Sequence, residues 1–96
     1  MAEAPIVTDN AGLRRYEITL GGERVGLLTY RLSGEVMTML HAEIDPAHGG
    51  RGLGTALARG ALEDARSRGL SVRPLCPFVA DVVRRDPAAY ADLVAR

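Results

Sequence analysis

Residues 43–68 read EIDPAHGGRGLGTALARGALEDARSR, and the fold turns on this stretch. A strand pattern runs into Pro46. Gly49-Gly50-Arg51-Gly52-Leu53-Gly54 follows, and then a helical pattern begins. From Thr55 to Arg68 the spacing predicts a helix. Leu57, Ala58, Ala61, Leu62 and Ala65 make one apolar stripe, with Arg59, Glu63, Asp64, Arg66 and Arg68 on the wet side. Gly69 is the expected stop. Gly60 inside the helix costs about 1 kcal/mol against Ala and suggests a close approach to a sheet. A strand feeding a glycine-rich loop that opens a helix is a ready anion site. The first helical amides have no internal partner, and the helix dipole adds partial positive charge there. Glycines let the backbone come close to a phosphate, and Arg51 can add charge-assisted bonds.

Working outward, Leu13–Leu20 alternates as a half-buried strand, with Tyr16, Ile18 and Leu20 on one side. Gly21-Gly22 is a hairpin signal. Arg24–Leu32 is apolar on both faces and reads as a central strand. Ser33-Gly34 turns the chain into a third strand, Glu35–Asp45. Strict alternation there puts Val36, Thr38, Leu40, Ala42 and Ile44 on one face. Met37, Met39, His41, Glu43 and Asp45 then share the other. Leu70–Cys76 is a fourth strand, and Pro74 makes it an edge or leaves it open on one side. Pro77 starts a helix to Arg85, and Pro87–Val94 is a short last helix with Tyr90 and Leu93 packed back.

The expected fold class is therefore α+β. Its sheet is mixed, an antiparallel three-strand meander plus a parallel pair formed by the third and fourth strands. The Gly-rich loop and helix lie between that pair. Residues 1–12 read as a loose leader and 13–96 as a single domain.

Composition narrows the function. Twelve basic residues balance twelve acidic ones, which argues against nucleic acid and anionic membrane as partners. No apolar run reaches the length of a membrane helix, and the first ten residues lack a secretory pattern. With one cysteine, Cys76, the expected compartment is reducing and cytoplasmic. His41, His48 and Cys76 are too few and too scattered for a zinc site, so no metal is expected. Every basic residue is arginine, which excludes a Walker A loop and Schiff-base chemistry on a lysine of this chain. The dinucleotide pattern G-x-G-x-x-G fails at Thr55 from Gly50 and at Leu57 from Gly52.

The loop resembles the acyl-CoA loop of GNAT-type N-acetyltransferases, Arg/Gln-x-x-Gly-x-Gly/Ala. Gly52 and Gly54 supply the two glycine positions, and Gly49 stands where the family has Arg or Gln. Residues 35–94 further resemble a minimal GNAT-like subfamily of about 100 residues. The features are His41-Ala42-Glu43, Cys76-Pro77-Phe78-Val79 and the Pro87-x-x-Tyr90-x-x-Leu93 pattern. The resemblance implies a GNAT-like sheet without the usual N-terminal helices and C-terminal hairpin, and hence an open acceptor side.

It also implies acetyl-CoA, or coenzyme A, as ligand. Pantetheine would lie along Ile44, Asp45 and Pro46. The diphosphate would sit on His48, Gly49, Gly50, Arg51, Gly52, Leu53, Gly54 and Thr55, with Cys76 and Phe78 from the facing segment. The implied activity is acetyl transfer to an exposed amine, on a protein for example. The alternative is a CoA-binding module with little or no turnover. Glu43 and His41 are both candidate bases. Cys76 is a candidate covalent carrier, a tunnel-lining residue or a packed core residue. By spacing alone His41 reads as a surface strand histidine. The expected assembly is a monomer or a weak homodimer.

Overall fold

The computed structural model of the chain describes residues 4–95. Five strands form one sheet in the order β1-β2-β3-β4-β5. They are β1 (Ile6–Asn10), β2 (Arg15–Leu20), β3 (Glu23–Ser33), β4 (Val36–Ile44) and β5 (Ser71–Pro74). The helices are α1 (Leu53–Ser67), α2 (Pro77–Arg85) and α3 (Pro87–Tyr90). Short 3-10 turns occupy Ala11–Leu13, Pro46–His48 and Ala91–Leu93. The first four strands pair antiparallel, and β4 pairs parallel with β5. The class and the order of elements after Leu13 agree with the sequence pattern.

The leader is a correction. Residues 1–3 lie outside the described residues, but Ile6–Asn10 is a strand paired with β2 from Ile6↔Thr19 to Asn10↔Arg15. Its short polar sequence hides the strand, because Val7 is its one apolar residue packed on the core. Gly60 explains how it is held. A Cβ at Gly60 would lie 2.8 Å from the Val7 Cβ, so the missing side chain lets α1 sit directly on β1.

Tyr16, Ile18, Leu28, Met37, Met39 and Val72 are buried against Leu57, Ala58, Ala61 and Leu62 of α1 and Val79 and Val82 of α2. Among the described residues no helix covers the other sheet face. Glu17, Thr29, Arg31, His41 and Glu43 remain partly or fully exposed there.

The face assignment on β4 is a second correction. Thr29 pairs with His41 but Tyr30 pairs with Met39, so Leu40 is an extra residue, a β-bulge. A side-chain period of two cannot survive an inserted residue. Met37 and Met39 therefore share the core side with Ala42 and Ile44, while His41 and Glu43 turn to the open face.

A polar network closes the sheet end under β1. The Tyr16 hydroxyl donates to Asp64 at 2.6 Å and the Tyr30 hydroxyl to Asp9 at 2.6 Å. Arg68 Nη1 reaches Asp9 at 2.9 Å and Asp64 at 3.2 Å. Burial, with the hydrogen bond to Asp9, pushes the Tyr30 phenol up to about 12.

Two outcomes are expected. Gly60→Ala should lower stability by about 1–3 kcal/mol in urea denaturation, because overpacking against Val7 outweighs the better helix propensity. Adding Val7→Ala should restore part of that loss. The Tyr30 phenol holds its proton more tightly folded than unfolded, so its contribution is full below about pH 10 and fades toward pH 12. In Tyr30→Phe, the stability measured between those limits should fall less steeply with pH.

Candidate active site

The ladder between β4 and β5 ends at Met39↔Pro74. The Ser71 N–H donates to the Glu35 carbonyl at 2.8 Å, so alternation points the Pro74 nitrogen away from β4, and the chain then turns, the Leu75 N–H going back to the Arg73 carbonyl at 3.1 Å. One more tie follows, the Cys76 N–H donating to the Met39 carbonyl at 2.9 Å. Beyond it β4 runs on to Ile44 paired only with β3. The Asp45 N–H goes to Val25 of β3 at 2.7 Å. Because main-chain groups alternate sides along a strand, Ala42 and Ile44 turn theirs to the side β5 has left. The result is a strand edge with unused donors and acceptors inside the sheet.

That edge leads to the glycine loop. Asp45 caps the 3-10 turn, its carboxylate accepting from the Ala47 N–H at 3.0 Å. Gly50 (φ +77°) and Gly52 (φ +74°) adopt left-handed conformations. A Cβ on either would meet nothing within 4 Å, so the space beside the loop is open. Gly52 is the N-cap of α1 and supplies no side-chain cap. The Ala56 N–H bonds the Gly52 carbonyl at 3.0 Å. The amides of Leu53, Gly54 and Thr55 precede it and have no acceptor within the helix. A cleft of about 290 Å³ lies against them, lined by Ile44, His48, Gly49, Gly50, Gly52, Leu53, Gly54, Thr55 and Phe78.

The Phe78 ring stands over Gly54, where a Cβ would come 2.9 Å from its Cζ. It divides this cleft from a second hollow of about 250 Å³ between α1 and α2, lined also by Thr55, Arg59, Asp81, Val82 and Arg85.

The remaining candidates divide into two groups. His41 Nε2 and Glu43 Oε2 are 3.0 Å apart on the open face, 61% and 64% exposed. Cys76 is buried at the N-cap of α2, held by its backbone at the closed end of the strand gap. The structure does not bring Asp45, Pro46 or Arg51 into the cleft. Asp45 and Pro46 border a separate hollow with Arg24 and Glu43, and Arg51 is exposed. The sequence reading missed the Leu40 bulge and the open main-chain groups of Ala42. Pro74, read as a strand open on one side, was a signal for the second, and nothing in the residue pattern marked the first.

The cleft has the chemistry of an anion cradle next to a strand-like slot for amide groups. A diphosphate-bearing ligand with an amide-containing arm fits both parts.

Comparison with known proteins agrees with this geometry. A family model described as GCN5-related N-acetyl-transferase matches residues 15–93. A GCN5-like protein from Staphylococcus aureus superposes with a TM-score of 0.65 at 22% identity, covering 94% of this chain and 87% of that one. The ribosomal-protein-S18-alanine N-acetyltransferase from Escherichia coli gives 0.61 at 18% identity, over 75% of this chain and 51% of that one. The ribosomal-protein-alanine N-acetyltransferase from Brucella melitensis gives 0.58 at 19%, over 79% and 61%. The chain thus spans about half the length of the E. coli enzyme.

Backbone angle, rather than space, should decide substitutions in the loop. Gly52→Ala is expected to cost about 1 kcal/mol or more in urea denaturation, because φ +74° is left-handed. Gly49→Ala should be near neutral, since φ there is −65° and its Cβ would make only an ordinary contact.

Proposed function

The chain belongs to the GCN5-related N-acetyltransferase family, and from that premise we propose that it transfers an acetyl group from acetyl-CoA to an exposed primary amine. The observation that carries this reading is the open edge of β4 running directly into the uncapped N-terminus of α1. In this reading the Gly50–Thr55 amides take the diphosphate, and the Ala42 and Ile44 main chain pairs with the pantetheine amides. Acetyl-CoA supplies an activated thioester, whose acyl end falls toward Leu40 and Cys76.

An alkyl ammonium, with a pKa of roughly 10, must lose a proton before it can attack. His41 is the proposed acceptor. If its Nε2–H donates to Glu43, its Nδ1 lone pair is free to take the proton, and the carboxylate stabilises the imidazolium that forms. The β3–β4 ladder is interrupted at Leu40, and a main-chain amide at this bulge is the proposed donor to the developing oxyanion. Cys76 lines the closed end of the gap, and no covalent step is assigned to it.

The acceptor side is broad. His41 and Glu43 stand on an uncovered sheet face, which suits an amine on a large partner such as a flexible protein segment. The chain has no lysine, so none of its own side-chain amines competes.

Steady-state assays with acetyl-CoA and a panel of peptide amines test the assignment. His41→Ala should reduce kcat by about 10²–10⁴-fold with little change in the KM for acetyl-CoA. Glu43→Gln should give a smaller loss in kcat, and Cys76→Ser should retain turnover. Tight cofactor binding without turnover on any amine would favour the CoA-binding-module reading instead.

A further inference from the structure

The side chain of His48 is the oddity of the cleft. Its Nδ1 is buried and has no hydrogen-bond partner among the described residues. The nearest acceptor, Asp45 Oδ2, lies 3.7 Å away, an ion-pair distance but too long for a hydrogen bond. Buried polar atoms are nearly always satisfied, so an unsatisfied one needs a physical reason. The side chain keeps only 20% of its surface exposed, almost none of it on Nδ1, and the residue lines the diphosphate cleft.

The imidazole thus stands between a carboxylate and the space for an anion. To donate to both at once it must carry hydrogen on both ring nitrogens, and only the protonated ring does. We propose that His48 binds the diphosphate as an imidazolium, taking up a proton from solvent as the ligand arrives and closing onto Asp45. This rests on the CoA-binding reading and adds to it. It supplies a cation in a loop where Gly49 replaces the Arg or Gln of related motifs and Arg51 does not line the cleft. Among the described residues, Asp45 is the one ionisable group paired with the ring; the other cleft-lining side chains, Ile44, Leu53, Thr55 and Phe78, carry no charge at neutral pH.

Proton uptake follows from the two-sided contact. A dianion beside the ring favours its charged form, so binding should be tighter at low pH and weaken as pH rises. The probe is dephospho-CoA, which keeps the diphosphate but lacks the 3′-phosphomonoester, a group that itself titrates near neutrality.

Calorimetry in buffers of different ionisation heat should show a substantial fraction of one proton taken up near pH 6.5. Affinity should fall about tenfold from pH 5.5 to pH 8. In His48→Gln both effects should vanish. If that variant fails to fold, imidazole NMR of the unaltered protein reads the same quantity. The chain has only two histidines, and His48, not His41, should hold its proton to higher pH with ligand bound. Binding with no proton uptake, or with the His48 resonances titrating alike in both states, would overturn the proposal while leaving the CoA reading intact. No binding at any pH would overturn both.

Discussion

The parallel ladder between β4 and β5 ends at Pro74, where the chain turns and the Leu75 N–H goes back to the Arg73 carbonyl. Much of the site follows from that early ending. A parallel strand pair inside a sheet normally satisfies its own polar groups along its whole length. Here β5 turns away after four residues, while β4 continues to Ile44. The Cys76 amide makes the last tie, to Met39, and the strand beyond it presents Ala42 and Ile44 to open space. The helix that leaves the glycine loop begins at the far end of this slot, with no side chain capping its first amides. Two sets of unsatisfied main-chain groups therefore lie in line. Surface water can satisfy both, and so can a ligand that is amide-like at one end and anionic at the other.

The bulge at Leu40 decides which side chains accompany the slot. Without it, His41 and Glu43 would face the core beside Met37 and Met39, where two ionisable groups would be costly. With it, both reach the uncovered face and meet each other at 3.0 Å, while Ala42 and Ile44 fill the inner side. The same inserted residue exposes a polar pair and interrupts the ladder beside the strand gap. Local irregularity at this point does more for the proposed chemistry than any single residue's identity.

Much of the frame was legible in the chain. Apolar spacing at 57, 58, 61, 62 and 65 located α1, and the Gly49–Gly54 run located the loop. Gly21-Gly22 and Ser33-Gly34 located the hairpins that make the meander. Three features were not legible, each for a stated reason. A bulge inserts a residue without changing composition, so parity along β4 was misread. Strand β1 has one inward apolar residue, Val7, and its partner is an absence of side chain at Gly60. The unsatisfied Nδ1 of His48 depends on a 3.7 Å separation that no spacing rule encodes.

The central claim is that coenzyme A lies along β4 and ends on the N-terminus of α1. Residue-resolved amide NMR during a titration with coenzyme A tests it most directly. The account predicts that the largest shifts fall on Ala42, Ile44, Gly50 and Gly52–Thr55, with the β1–β2 hairpin unmoved. Shifts centred on the open sheet face or the α2–α3 segment, or none at millimolar ligand, would contradict it.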